Sequence, residues 1–236
     1  MTAFEDVEVV GLDADNTLWH SEVHFVATHE RVADLLTAYV TRDELVSRLA
    51  EVEAANRAVY GYGVKDFTLS LIETAVAVSD GRVTGAEVAA IVQAGKELLR
   101  HPVDLLPGVG EALDRLADRR LVLVTKGDLL HQETKLAASG LEGRFERIVI
   151  VSEKDEAAYR RLVVELGVPA ERFCMIGDSL RSDVAPAVAA GALAIHVPHD
   201  LVASLELHDG PLPEHGWATA ADLVEAAGLL VGGGLW

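Results

Sequence analysis

The sequence predicts an α/β fold, a doubly wound parallel sheet that carries an all-helical insertion after its first strand. From about residue 101 onward, short apolar runs alternate with helix-like segments, which is the rhythm of parallel strands joined by helices. One apolar run near the amino end is instead followed by about eighty residues with helical spacing and no strand signal. We therefore expect a core domain from residues 1–18 and 101–236 and a helical domain from residues 19–100.

The first strand is expected at residues 7–12, an apolar and mostly β-branched run typical of a strand buried on both faces. The run ends in Asp13 and Asp15. Alternate residues of an extended chain share a face, so both carboxylates should lie together at the carboxyl end, where open α/β sheets bind ligands. Two close carboxylates repel each other unless a cation lies between them or one keeps a proton. The pattern indicates a metal site, although from these residues alone Asp13 and Asp15 could equally cap the following helix.

The insertion is expected to contain four helices, because its apolar residues recur with helical spacing. Two capping boxes support the boundaries, since Thr41 is followed three places on by Glu44 and Thr84 by Glu87. The four helices are expected at residues 21–38, 42–59, 65–78 and 85–99.

The rest of the chain is expected to alternate helices and strands, beginning after a Pro-Gly turn at residues 107–108. Strands are expected at residues 121–125, 148–151, 172–177 and 193–197. Helices are expected at residues 109–117, 129–139, 155–166 and 182–190, with a closing helix at 219–230. This order builds βαβ units with helices on both faces of the sheet.

Polar side chains follow the expected strands at the edge where parallel strands bind ligands. They are Thr125, Lys126 and Gly127 after the second strand, Lys154 after the third, and Asp178 and Asp183 after the fourth. Near Thr125, a hydroxyl, adjacent backbone N–H groups and a helix start could hold an anion, so we assign this stretch to substrate binding. Strands that end in carboxylates, a hydroxyl, an amine and further carboxylates indicate one shared crevice.

The composition excludes several classes of protein. Half of the 236 residues are hydrophobic, so a sizeable core is expected and disorder is not. The formal net charge of -18 argues against binding to nucleic acid or to an anionic membrane, because both favour a basic surface. One cysteine allows no internal disulfide, and neither a signal peptide nor an apolar run of membrane-spanning length is visible. We expect a soluble cytoplasmic protein, monomeric or homodimeric.

At its strand-end motifs the chain resembles the haloacid dehalogenase superfamily of phosphohydrolases, specifically members with a helical cap inserted after the first strand. The similarity runs from residue 7 to about residue 197, with all four motifs in order. The resemblance implies that Asp13 is the nucleophile that forms an aspartyl-phosphate and that Asp15 is the general acid and base. It also implies that Thr125 hydrogen-bonds the phosphoryl oxygens and that Lys154 offsets negative charge.

The resemblance further implies a magnesium ion, which suits the oxygen-only ligand set. Asp13 and Asp178 would donate carboxylate oxygens, and Asp15 would donate its backbone carbonyl. Asp183 would not bind the ion itself but would orient a metal-bound water or Lys154. Alternatively, Asp183 would only cap the following helix.

The carboxylate of Asp15 separates activities within the superfamily. The dehalogenases lack an acid at this position, since a halide leaves without a proton, so Asp15 favours phosphate esters. We expect a phosphoric monoester hydrolase that acts on a small phosphorylated metabolite, whose identity the sequence does not give. Two alternatives remain open. One is a sugar phosphomutase of the β-phosphoglucomutase type, and the other is a catalytically silent, phosphate-binding regulatory protein.

An aromatic, glycine-rich stretch at residues 60–70 interrupts the helical insertion. It is either a turn without function or a segment in which Tyr62, Lys65 or Thr68 contacts the leaving group. We assign Lys65 to substrate binding as the sharper hypothesis.

Overall fold

A six-stranded parallel sheet forms the centre of the computed structural model, which describes residues 4–201, 206–208 and 210–232. The strands are β1 (Val9–Leu12), β2 (Arg120–Lys126), β3 (Arg147–Val151), β4 (Phe173–Gly177), β5 (Leu193–His196) and β6 (Trp217–Thr219). Their order in the sheet is β3-β2-β1-β4-β5-β6. The sequence-based expectation of a Rossmann-like, doubly wound parallel sheet is confirmed.

Helices lie between most of these strands and also follow β6 in the described chain. They are α1 (Glu22–Leu35), α2 (Arg42–Tyr60), α3 (Val64–Val78), α4 (Gly85–Leu99), α5 (Val109–Arg115), α6 (Leu129–Ser139), α7 (Glu156–Leu166), α8 (Ala185–Ala189) and α9 (Leu223–Leu230). None of the helices in the described ranges combines the length and the apolar character needed to cross a lipid bilayer.

Strand β1 is completely buried and lies between β2 and β4, with Leu12 paired to Leu123 on one side and Ile176 on the other. The chain order reverses between β1 and β4, so their carboxyl ends form the topological switch point where such sheets bind ligands. Close packing at β1 requires Gly11, because a Cβ atom there would lie 2.5 Å from the ring of Phe173. Asp13, which follows β1 directly, is thereby held at the centre of this edge.

The sheet separates two apolar cores. One core includes Leu123, Ile176 and residues of α5 and α9, and the other includes Val122, Phe173 and residues of α7 and α8. Neighbouring residues of β2 belong to different cores, because successive side chains of a strand point to opposite faces. Burial on both faces explains why the strands read as continuous apolar runs.

The described chain divides into two compact units. The unit that contains the sheet comprises the residues up to His20, Val103–Lys126 and the residues from Gln132 on. The second unit comprises Ser21–Pro102, which contains α1 to α4, and Gly127–His131. The sequence did not predict that Gly127–His131 would join the helical residues.

The helical unit encloses an apolar core of its own, which includes Leu36, Leu45, Leu71 and Ile91. Both expected capping boxes are confirmed. The hydroxyls at the N-caps of α2 and α4 accept hydrogen bonds from backbone N–H groups three residues on, and the glutamates there accept bonds from the N-cap N–H groups. The cap chemistry therefore fixes where these two helices begin.

The closing helix expected at residues 219–230 is shorter than predicted. Thr219 lies in β6, an edge strand that pairs with β5 and was not predicted. Helix α9 begins only at Leu223, because the side chain of Asp222 accepts a hydrogen bond from the N–H of Glu225 and caps the helix there. A strand of three residues is too short for an alternating pattern to stand out.

The helix expected at residues 182–190 also begins differently. A π-helical turn spans Leu180–Val184, and the α-helical hydrogen bonding of α8 starts after it. Pro186 has no N–H group to donate to residue 182, so a regular α-helix cannot run through this point. The π-helical turn carries Ser182 and Asp183 into the buried interior.

Candidate active site

Three carboxylates converge at the carboxyl ends of β1 and β4. An oxygen of each of Asp13, Asp178 and Asp183 lies within 4.8 Å of the others. Asp13 and Asp183 are almost completely buried, with 7% and 1% of their surface exposed. Like charges this close are stable together only when protons or cations compensate them.

The ammonium of Lys154 is the positive group inside this cluster. Its Nζ donates to Oδ1 of Asp13 and, at 2.7 Å, to Oδ1 of Asp183, and the residue is only 3% exposed. Burial disfavours the charged ammonium, but the negative charges of Asp13 and Asp183 prevail and raise the pKa of Lys154 well above its usual value. One ammonium against three carboxylates leaves the cluster in need of further positive charge.

The pKa values of the carboxylates reflect the same shortage of positive charge. Burial raises the pKa of Asp13 to about 7, in spite of the opposing effect of Lys154, and the charge of Asp183 adds to the rise. Burial, together with the charges of Asp13 and Asp183, raises the pKa of Asp178 well above its usual range. A divalent cation would restore the ionised forms of these groups. The all-oxygen donor set fits a hard cation such as Mg²⁺.

Asp183 is held by Lys154 and by the backbone. Its Oδ2 accepts a hydrogen bond from the N–H of Ser179 at 3.1 Å, while Oδ1 accepts from Lys154. This position of the Asp183 carboxylate requires glycine at residue 177, because a Cβ atom there would lie 2.2 Å from Oδ2 of Asp183. The N-cap residue of the π-helical turn is Ser179, whose side chain accepts a hydrogen bond from the N–H of Ser182.

Asp178 is positioned by contacts to its backbone. Its N–H donates to Oγ1 of Thr17 at 3.1 Å, and Nε2 of His196 lies 2.9 Å from its carbonyl oxygen. Thr17 follows Asp15 in the first motif, whereas His196, at the end of β5, was not identified from the sequence. Two strand ends thus fix the loop that presents the Asp178 carboxylate.

Asp15 lies in a separate network, formed by groups that were not predicted from the sequence. Nζ of Lys135 donates to both carboxylate oxygens, at 2.5 and 2.7 Å, and Nε1 of Trp19 donates to Oδ1 at 2.8 Å. Nε2 of Gln132 donates to Oδ2 at 2.9 Å. Burial works to raise the pKa of Asp15, but the charge of Lys135 and these hydrogen bonds outweigh it and lower the pKa to about 2.

Thr125 joins the same network. Its Oγ1 accepts a hydrogen bond from Nε2 of Gln132 at 3.1 Å, and the same nitrogen lies 2.6 Å from the carbonyl oxygen of Lys126. Thr125 is 1% exposed. Gln132 therefore connects the expected phosphate-binding hydroxyl to the expected acid and base, Asp15.

The ammonium of Lys126, which we expected to bind substrate, is held by protein groups in the structure. It donates to the carboxylate of Glu206 and, at 2.8 Å, to Oγ of Ser182. The hydroxyls of Ser179 and Ser182 donate to the same carboxylate at 2.7 and 2.6 Å. Glu206 was not identified from the sequence, because it lies in no regular motif.

The two remaining expected substrate contacts belong to the helical unit. Nζ of Lys65 lies 2.8 Å from Oδ2 of Asp128, and the Lys65 side chain is 56% exposed. Gly127 has a φ of +129°, a conformation that favours glycine.

Comparison with known proteins places the sequence among hydrolases. The family model described as haloacid dehalogenase-like hydrolase matches residues 7–191. A haloacid dehalogenase-like family hydrolase from Xanthomonas campestris is 39% identical, with 97% of this chain and 94% of that chain covered and a TM-score of 0.84. No functionally curated protein matches the sequence.

More distant structures share the fold. The HAD-hydrolase YfnB from Bacillus subtilis, bound to magnesium, is 17% identical over 95% of this chain and 98% of that chain, with a TM-score of 0.67. The L-2-haloacid dehalogenase from Xanthobacter autotrophicus with chloropropionic acid covalently bound is 16% identical over 96% and 99%, with a TM-score of 0.66.

Proposed function

Since the chain belongs to the haloacid dehalogenase-like hydrolases, we propose that it is a magnesium-dependent phosphatase of small phosphomonoesters that works through an aspartyl-phosphate on Asp13. The family resemblance seen in the four motifs is confirmed. The observation that carries the proposal is the convergence of Asp13, Asp178 and Asp183 within 4.8 Å of one another, with the ammonium of Lys154 bonded to two of them. Such a cluster suits one divalent cation and one phosphoryl group.

Asp13 is the nucleophile in this proposal. A carboxylate oxygen attacks phosphorus, the bond from oxygen to phosphorus forms, and the ester bond to the leaving alcohol breaks. Lys154 contacts the nucleophile directly and compensates the negative charge that the phosphoryl group brings. Asp183 keeps Lys154 in place through its own hydrogen bond to Nζ.

Asp15 transfers the proton in both halves of the reaction. It donates a proton to the leaving alkoxide, and its carboxylate then takes one from the water that attacks the phosphorus of the aspartyl-phosphate. Without substrate its pKa is about 2, which favours the base form. A bound phosphoryl group would place negative charge nearby and raise the proton affinity of Asp15 for the first half.

Magnesium would be held by the carboxylates of Asp13 and Asp178 and by the backbone carbonyl of Asp15, and would neutralise charge between the phosphoryl group and the carboxylates. The magnesium bound to the distant relative YfnB supports this choice of ion. The hydroxyl of Thr125 would donate a hydrogen bond to a phosphoryl oxygen.

The carboxylate of Asp15 favours phosphate esters over haloacids. A halide leaves without a proton, so a dehalogenase has no use for an acid bonded as tightly as Asp15 is to Lys135, Gln132 and Trp19. The dehalogenase from Xanthobacter autotrophicus shares the fold at 16% identity, which does not transfer its substrate to this chain.

The proposal is tested by phosphate release from p-nitrophenyl phosphate and from a panel of metabolite phosphates, with and without Mg²⁺. We expect release that requires Mg²⁺, that stops with excess chelator, and that the Asp13→Asn variant lacks. Isomerised phosphate with little free phosphate would identify a mutase instead. Halide release from 2-chloropropionate, or no turnover by the folded wild type, would refute the proposal.

A further inference from the structure

The helix that follows Thr125 places two polar side chains against Asp15. Gln132 and Lys135 lie three residues apart on α6, and residues three apart share a helix face. Lys135 contacts both oxygens of Asp15, at 2.5 and 2.7 Å, and Gln132 contacts one, at 2.9 Å. No motif of the haloacid dehalogenase resemblance assigned a role to either residue.

The ion pair between Lys135 and Asp15 does not lie on the protein surface. Its side chain is only 12% exposed, and its Nζ lies 5.9 Å from the centroid of the buried Trp19 ring. An ammonium this enclosed loses hydration, and an apolar side chain of similar volume is often as stable in such a place. Fold stability alone therefore does not account for a lysine at this position.

The contacts fix the Asp15 carboxylate in both position and rotation. Oδ1 accepts from Lys135 and Trp19, and Oδ2 accepts from Lys135 and Gln132. A rotation about the Cα–Cβ bond of Asp15 would break all four hydrogen bonds. Gln132 also donates to Oγ1 of Thr125 at 3.1 Å, so one amide links the Asp15 carboxylate to the Thr125 hydroxyl.

We propose that Lys135 is a positioning residue, which together with Gln132 and Trp19 holds the Asp15 carboxylate in register with Thr125 for proton transfer to the leaving oxygen. This inference rests on the proposed phosphatase function. A displacement of about 1 Å is enough to cost roughly 100-fold in a well-aligned reaction, so loss of the lysine should act strongly on proton transfer.

Leaving groups of different basicity isolate this role. p-Nitrophenolate departs readily without a proton, whereas phenolate is more basic and gains more from an acid. The two esters have the same aromatic skeleton, so they should bind in the same way. The ratio of their kcat/KM values reports proton transfer to the leaving oxygen, because kcat/KM covers only the steps up to loss of the alcohol.

The experiment compares Lys135→Met, Lys135→Arg and wild type with both esters in the presence of Mg²⁺. We expect Lys135→Met to lower kcat/KM for phenyl phosphate about ten-fold more than for p-nitrophenyl phosphate. Lys135→Arg keeps the charge and the donors and should restore most of the ratio. Lys96→Met, which alters an exposed lysine of α4 in the same way, should leave both values unchanged.

Equal losses with the two esters, or no loss, would overturn the positioning role while leaving the phosphatase function intact. Failure of the wild type with every ester would instead refute the proposed function. A crystal structure of Lys135→Met tests the positioning itself without turnover. We expect the Asp15 carboxylate to rotate away from Gln132, and a carboxylate that superposes on that of the wild type would contradict the inference.

Discussion

Replacement of Lys154 by methionine should destabilise the protein strongly, because it leaves the buried carboxylates of Asp13 and Asp183, and the partly buried Asp178 beside them, without their ammonium. Lys154 is 3% exposed and contacts two of the three directly. Removing one partner of a buried ion pair costs about 3–5 kcal/mol. For a chain of this size, each kcal/mol lowers Tm by about 2–4 °C, so we expect a fall of about 6–20 °C at pH 8.

The loss of stability should depend on pH with a definite sign. The pKa of Asp13 is already raised to about 7, and removal of the Lys154 charge, which lowers it, would raise it further. A carboxyl group with a raised pKa in the folded protein binds protons more readily folded than unfolded, so lower pH favours the folded variant. The loss of Tm in Lys154→Met should therefore be largest above about pH 7 and should shrink as the pH falls toward 5.

Thermal unfolding monitored by circular dichroism at pH 5, 6, 7 and 8 measures this effect. Mg²⁺ should recover part of the lost Tm, because it supplies positive charge to the same carboxylates. Lys96→Met is the matched control, since Lys96 is exposed, and its Tm should equal that of the wild type. A Tm for Lys154→Met within about 2 °C of the wild type at pH 8 would refute the reasoning about an uncompensated cluster.

Two further substitutions test the supports of the site. Gly177→Ala should push Asp183 away from Lys154, because the new Cβ would lie 2.2 Å from Oδ2 of Asp183, and should lower kcat with Mg²⁺ at least about ten-fold. Gly110→Ala, where a Cβ meets nothing within 4 Å, is the control, and equal activity of the two variants would contradict the steric argument. Lys65→Ala should raise KM or lower kcat for the best metabolite phosphate far more than for p-nitrophenyl phosphate. Equal effects on both substrates would contradict a role of Lys65 in substrate binding.

The sheet and its strand-end motifs were predictable because their signals are local. The apolar run before Asp13 and the two capping boxes depend only on residues close in sequence, and the structure contains each of them. Strand β6 escaped prediction because three residues carry too little pattern. The π-helical turn before Pro186 was missed because its hydrogen bonds depend on how Ser179 and Asp183 pack.

Residues that hold the proposed catalytic groups were harder to predict than the motif residues themselves. Gln132 and Lys135 form a polar pair three apart on the helix after Thr125, which could have been noted. Which face of α6 meets Asp15 is set by tertiary packing and not by spacing. Glu206 and His196 contact the motif residues from distant stretches, so a single sequence gives no sign of their partners.

Covalent attachment of phosphate to Asp13 is the most direct test of the proposed chemistry. Wild-type protein is mixed with Mg²⁺ and p-nitrophenyl phosphate, quenched in acid within one turnover, digested and analysed by mass spectrometry. We expect a phosphoryl group on the peptide that contains Asp13 and none on that peptide from Asp13→Asn. A phosphoryl group found on another residue of an active wild type would contradict an aspartyl-phosphate at this position. Turnover by Asp13→Asn at the rate of the wild type would contradict it as well.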